Sequence, residues 1–478
     1  MNFAAIKRIV GQVVRIEAVL LLLPCLVSLI YREEDGIVYF FTALLCLVFG
    51  QLLCKDKPAS NQFYTLEAFV MVALCWVVLS ALGALPFVLT GDIPNYIDAL
   101  FETVSGFTTT GSSILENVEA LSHANLFWRS FTHWVGGMGV IVLLLAVLPL
   151  KGGFNMHLMK AESPGPSVSK LVPRLRDTAR ILYIIYAALT VLEICILLME
   201  GMPLFDALTT SFGTAGTGGF GIKADSIAGY APVMQYTVTI FMILFGVNFN
   251  AYFYLLGKDK MAALRMGEVR WYFGIIAGAI LLITVDILHL YGGLEEAFRH
   301  ASFQVGSIIT TTGFATADFD AWPAFSKTIL VTLMFVGACA GSTGGGVKVS
   351  RVMILLKSVW AEIRRYSHPR SVNAVKIDGK AVNQETLQGV RQFFMAYIII
   401  FVISLLLISL DDFSYDTNFT AIAATFNNIG PGLGLVGPTG NFADYSYLSK
   451  LVMIFDMLAG RLELFPMLLL VTSVWKRD

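Results

Sequence analysis

The stretch "SGFTTTGSS" at residues 105–113 returns as "SIITTTGFA" at residues 307–315, in a chain of 478 residues that is 56% hydrophobic and only 14% charged. That composition is far from soluble averages. Apolar runs of about 20 residues, the length that crosses a bilayer, lie near 10–31, 36–54, 67–91, 127–150, 180–200, 232–257, 271–291, 327–357, 392–410 and 447–474. The chain therefore reads as an all-α polytopic membrane protein. The opening run, "MNFAAIKRIVGQVVRIEAVLLLLPCLVSLI", lacks a small-residue cleavage site and is followed at once by a second span, so it reads as a retained helix.

A formal charge of −1 conceals an asymmetry. Lysine and arginine concentrate in 151–180, 258–270 and 348–391, whereas the acidic residues gather in the alternate connections. Basic loops stay in the cytoplasm, which places both termini there. The acidic opposite face raises the local concentration of cations. Six cysteines (25, 46, 54, 75, 195 and 339) are scattered through apolar spans with no CxxC spacing and read as packing residues.

The two TTTG stretches belong to a set of four. Segments too short and polar to cross a membrane read "YIDALFETVSGFTTTGSS" (96–113), "LFDALTTSFGTAGTGGF" (204–220), "AFRHASFQVGSIITTTGF" (297–314) and "FTAIAATFNNIGPGLG" (419–434). Each has roughly ten helix-compatible residues, then small or hydroxyl residues, then glycine, with a span on either side. Aligning the first two on Asp98 and Asp206 sets Gly219 opposite Gly111; Gly313 joins them through TTTG, and "NNIG" supplies Gly430. The implied units are an accessory helix pair at 1–55 and repeats at 56–165, 166–262, 263–375 and 376–478.

Irregular backbone at membrane depth is tolerated only where it is buried in protein or lines a watery cavity. Four such segments argue for one central cavity. Half-helices entering from the outer side present the negative ends of their dipoles to it, which favours a cation. Glycine lets the backbone turn a carbonyl toward an axis, and rings of such carbonyls can replace the water shell of potassium. On this reading the threonine hydroxyls are secondary to the backbone.

These residues resemble the TrkH/KtrB/HKT superfamily of potassium transporters, in its TrkH/TrkG branch, over essentially the whole length. The resemblance implies a pseudo-fourfold pore whose filter glycines are Gly111, Gly219, Gly313 and Gly430, with neighbouring carbonyls from Thr110, Gly218, Thr312 and Ile429. Since Gly218 and Ile429 replace threonine, the filter is expected to be a single, uneven K+ site. A serine at the first filter position goes with sodium preference in plant relatives; Gly111 stands there instead.

The run "LMFVGACAGSTGGGVKVSRVMIL" (333–355) carries Gly337, Gly341, Gly344, Gly345 and Gly346. At about 1 kcal/mol per glycine relative to alanine, its helix should break just below the filter. The resemblance makes this loop an intramembrane gate. A phosphate-binding loop is the competing reading of "GSTGGGVK". It fails because Val347 separates Gly346 from Lys348 and no Ser or Thr follows the lysine. Arg461, inside the last apolar span, needs a cavity or a partner. Asp456 and Glu463 lie off the i,i+4 spacing, and the resemblance makes Arg461 a pore-facing charge working with the gate. Glu102, His123, His133, His157, His289, His300 and His368 accompany no hydrolytic or metal-ligand pattern and read as packing or vestibule residues.

The basic segments 151–180 and 357–391 suit anionic lipid. By resemblance they dock a cytosolic ring of TrkA-type regulator subunits, which alone would carry nucleotide, and the transporter itself is a homodimer. The function implied is potassium uptake across the cytoplasmic membrane of a bacterium, with no cofactor and no bond made or broken. A Na+-preferring or cation-coupled symporter on the same scaffold, and a flux-free membrane sensor or scaffold, are the alternatives.

Overall fold

The computed structural model describes residues 2–55, 65–139, 175–257, 260–368 and 374–475. It is almost wholly helical. Among the described residues the strands are a two-residue hairpin, Lys376–Ile377 against Lys380–Ala381.

Six described helices are long and apolar enough to cross a membrane: Phe3–Tyr31, Gly36–Leu53, Leu66–Thr90, Asp177–Met199, Gly267–Leu290 and Gln384–Asp411. The protein is a multi-pass membrane protein. The helix Gln384–Ile408 shows why such segments settle where they do. Its buried residues Phe393, Tyr397, Phe401, Ser404 and Ile408 form one stripe toward the protein, while Ile399, Val402, Ile403 and Leu406 stay exposed on the other side. A helix that is apolar all round needs lipid on its unpacked face.

The N-terminal pair, Phe3–Leu20 continued by Leu22–Tyr31 and then Gly36–Leu53, packs on the first repeat. Glu33 fastens it by accepting the N–H groups of His123 (2.8 Å) and Ala124 (3.1 Å), the orphan donors at the start of the helix His123–Gly137.

After this pair one order of elements recurs: a long helix, a half-helix, a turn, and a helix of 13 to 15 residues that then stops. The half-helices are Tyr96–Phe107, Leu204–Gly216, Leu294–Ile309 and Tyr415–Phe426. The helices that stop are His123–Gly137, Pro232–Phe245, Ala324–Val336 and Tyr447–Arg461.

Two expected spans are therefore corrected. The run 232–257 is two helices, Pro232–Phe245 and Phe249–Leu256, bent by 92°. The run 447–474 breaks after Arg461, where Glu463 and Leu464 both adopt positive φ (59° and 67°), and resumes at Phe465. Hydropathy stays high through both breaks because tertiary partners, and not water, satisfy the freed backbone: Gly246 O, for instance, accepts Cys339 N at 3.1 Å. The run 327–357 breaks between Val336 and Val349, as the glycines require. The end of 127–150, His157 and most of the basic segment 151–180 lie outside the described residues.

A buried ion pair locks the first half-helix to its own repeat. Glu102 Oε1 accepts Arg129 Nε at 2.5 Å, with the two side chains 0% and 3% exposed, and the same carboxylate accepts Ser113 Oγ and Ile114 N, each at 3.0 Å. Arg129 reaches on to Gly221 O at 2.8 Å and stacks over Phe220. Removing one partner strands the other charge, at a cost of about 3–5 kcal/mol. Glu102→Leu is thus expected to lower stability by about that amount and Glu102→Gln by less, read as thermal unfolding of the purified protein in detergent.

Candidate functional site

Each half-helix ends in the same way. The residues after the C-terminus, Thr109, Thr217, Thr311 and Asn428, all sit in the left-handed region, with φ of 57°, 54°, 60° and 55°. Two residues later Gly111, Gly219, Gly313 and Gly430 are left-handed again, with φ of 82°, 76°, 86° and 102°. Between them, the N–H groups of Thr110, Gly218, Thr312 and Ile429 each turn back to a carbonyl five residues earlier, and all four bonds measure 2.8 Å. This is the 6→1 bond of a Schellman cap. A β-branched threonine is costly at positive φ, so three threonines there mark backbone held by its surroundings.

The four turns close on one another. A Cβ at Gly111 would lie 2.0 Å from Gly218 O, one at Gly219 2.0 Å from Thr312 O, one at Gly313 2.1 Å from Ile429 O, and one at Gly430 2.9 Å from Thr110 O. The sequence of contacts runs from first to second to third to fourth and back to first. All eight residues aligned by glycine in the sequence thus meet in one ring, each glycine seated against the carbonyl that precedes its neighbour's glycine. The ring is closely packed: Thr110, Thr312 and Ile429 are fully buried, while Gly111, Gly219 and Gly313 stay partly accessible.

The hydroxyls prove to be structural braces. Thr108 Oγ1 donates to Val104 O (2.6 Å) and meets Thr110 Oγ1 at 2.8 Å; Thr310 and Thr312 repeat the arrangement at 2.6 and 2.7 Å. In the fourth turn Asn428 takes over, donating to Thr110 Oγ1 and to Met457 O, both at 2.9 Å. With side chains tied back to the helices, the backbone carbonyls are left to face elsewhere.

The glycine-rich break, residues 337–348, abuts this ring. Gly345 N donates to Thr311 Oγ1 at 2.5 Å, and a Cβ on Gly344 or Gly345 would strike Thr310 O (2.7 Å) or Asn427 O (2.5 Å). Gly337, Gly341 and Gly346 hold positive φ. Lys348 Nζ, buried, turns back onto Gly344 O. Arg461 meets the same loop: its guanidinium donates to Thr343 O (2.9 Å), Gly136 O (2.5 Å) and Gly137 O (2.6 Å) and approaches Thr109 Oγ1 at 3.4 Å. It thereby ties the breaks of the first, third and fourth repeats together beside the turns. Glu463, two residues on, pairs with Arg351 at the far end of the loop.

The family model described as "Cation transport protein" (TrkH) matches residues 36–476. The chain belongs to the TrkH family. It is 39% identical to the Trk system potassium uptake protein TrkH of Salmonella typhimurium and 38% identical to that of Escherichia coli K12, in each case over 100% of both chains. It is 33% identical to TrkG of Escherichia coli K12 over 98% of this chain and 97% of that one. The crystal structure of the potassium transporter TrkH from Vibrio parahaemolyticus superposes with a TM-score of 0.89, at 35% identity and with 100% of both chains covered. A TrkH-family chain is a transporter and not an enzyme.

By sequence His133 reads as a packing residue, yet it joins the end of the first half-helix to the second turn. Its Nδ1 lies 2.7 Å from Gly106 O and its Nε2 3.2 Å from Phe220 N. A carbonyl can only accept and an N–H can only donate, so the ring must be the Nδ1–H tautomer. The ring fills the space that a side chain at 218 would need, because a Cβ there would lie 2.2 Å from His133 Cγ. This explains why the second TrkH-family turn carries glycine where the first and third carry threonine. Residues 133 and 218 are too far apart in sequence for any local signal to reveal it. Gly218→Thr is expected to destabilise the protein by about 2 kcal/mol through overpacking. His133→Ala should recover part of that loss in the double variant, read as a thermal double-mutant cycle.

Proposed function

We propose that this chain carries potassium into the cell across the cytoplasmic membrane of a bacterium, through a filter built from the backbone carbonyls of Thr110, Gly218, Thr312 and Ile429 beside Gly111, Gly219, Gly313 and Gly430. The observation that carries the reading is the closed ring of four turns with matching φ values and matching 2.8 Å caps. Half-helix C-termini and carbonyl oxygens concentrate negative potential without a formal charge, which suits a dehydrated monovalent cation. The relatives' names support potassium as the cargo. A ring with two threonines, one glycine and one isoleucine in the carbonyl positions is uneven, and it acts as one site instead of a queue.

The loop with Gly337, Gly341, Gly344, Gly345 and Gly346 is the gate in this reading. It lies against the turns, and Arg461 holds it there while adding a positive charge to the path. Opening swings the loop aside. Basic cytoplasmic segments face a nucleotide-binding regulator ring of TrkA type, the transporter works as a homodimer, and both termini are cytoplasmic.

Uptake of 86Rb+ by the purified protein in liposomes, with Na+ as competitor, tests the cargo. Reversal potentials under separate K+, Na+ and H+ gradients distinguish a channel from a coupled symporter, and absence of flux would favour a sensor. Gly313→Ser places a Cβ against Ile429 O at a left-handed φ, so K+ over Na+ discrimination is expected to fall about tenfold or more. An unchanged permeability ratio would remove Gly313 from the filter. Shortening the 337–346 loop is expected to raise flux in the same liposomes, and unaltered flux would remove the gate assignment.

A further inference from the structure

Ala340 and Ser350 stand ten residues apart and flank the glycine run 341–346, yet their backbone N–H groups finish on one oxygen. Glu268 Oε1 accepts Ala340 N at 2.7 Å and Ser350 N at 3.2 Å, and its Oε2 faces Asn248 Nδ2 at 3.4 Å. Glu268 opens the third repeat's long helix, Gly267–Ile287, and is buried at 8% exposure. Asn248 belongs to the break in the second repeat, which grips the same arm of the loop through Phe249 N to Gly341 O (2.9 Å) and Cys339 N to Gly246 O (3.1 Å).

An ionised carboxylate only accepts, and here both ends of the loop supply the donors. If either arm moves away, one buried N–H loses its partner, at a cost comparable to a lost charge-assisted hydrogen bond. Among the described residues Glu268 makes no hydrogen bond to the four turns or to Arg461; its bonds go to the loop and to Asn248 in the neighbouring break. We propose that Glu268 is a positioning residue that staples both ends of the glycine loop and sets the population of its closed form. The inference rests on the gate reading above and adds the element that holds the gate shut.

Cys339, buried within the loop, reports its position directly. With the other five cysteines changed to alanine, the reaction of Cys339 with a maleimide and 86Rb+ flux in liposomes are measured for the parent, Glu268→Ala, Glu268→Gln and the loop-shortened protein. Glu268→Ala is expected to raise both labelling rate and flux about tenfold and to leave Rb+ over Na+ discrimination unchanged. Glu268→Gln keeps an oxygen where Oε1 stands, so it should remain within about threefold of the parent. Ser350→Pro offers a second route, since it deletes one of the two N–H donors in the first turn of a helix, where proline is tolerated. It should shift both readouts in the same direction and less far.

The staple is refuted if loop shortening raises flux while Glu268→Ala and Ser350→Pro alter neither labelling nor flux; the gate then stands without it. A Gln variant as leaky as the Ala variant also refutes it. Flux unaffected by loop shortening refutes the gate instead, and the labelling rate alone then decides whether Glu268 holds the loop.

Discussion

Every backbone N–H and C=O placed at membrane depth needs a partner, and this constraint organises the molecule. Four helices stop in the middle of the fold, near Gly137, Phe245, Val336 and Arg461, and each frees polar groups that lipid cannot satisfy. The structure answers by making the breaks serve one another. Arg461 binds carbonyls from the first and third, Cys339 and Phe249 cross-link the second and third, and Glu463 meets Arg351 between the fourth and third. The glycine loop lies at the centre of this exchange because a chain without side chains can approach three neighbours at once.

The same constraint shapes the four turns beside the breaks. A Schellman cap consumes the N–H groups at the end of each half-helix, and the hydroxyls of Thr108 and Thr310 consume helix carbonyls one turn back. The carbonyl of the residue before each glycine lies instead against the glycine of the neighbouring turn. In the proposed mechanism those oxygens receive the cation. Preorganisation then comes from strain held in place by packing: threonine at positive φ persists only because its neighbours forbid relaxation.

Much of this was legible in the residues, and the limits are physical. The long helices could be read because the bilayer sets their length, and the half-helices because polar residues interrupt apolar runs before each glycine. The glycines at 111, 219, 313 and 430 could be aligned because left-handed backbone favours that residue type. The breaks at 246 and 462 were hidden, since "FMILFGVNFNAYFYLL" and "MLAGRLELFPMLLL" stay apolar where distant chain supplies the hydrogen bonds. His133 explains Gly218, Arg129 explains Glu102 and Glu268 explains the loop's ends, each across a separation that no local pattern spans. Local spacing relates Glu463 only to Arg461, whereas its ion-pair partner, Arg351, comes from another repeat.

The central claim is that a cation sits in the ring of carbonyls from Thr110, Gly218, Thr312 and Ile429. Anomalous diffraction from crystals of the protein grown in Rb+ tests it most directly. The account predicts one principal Rb+ peak at the centre of that ring, lost when Na+ replaces Rb+. A ring without anomalous density, with the principal peak elsewhere along the chain, would contradict it.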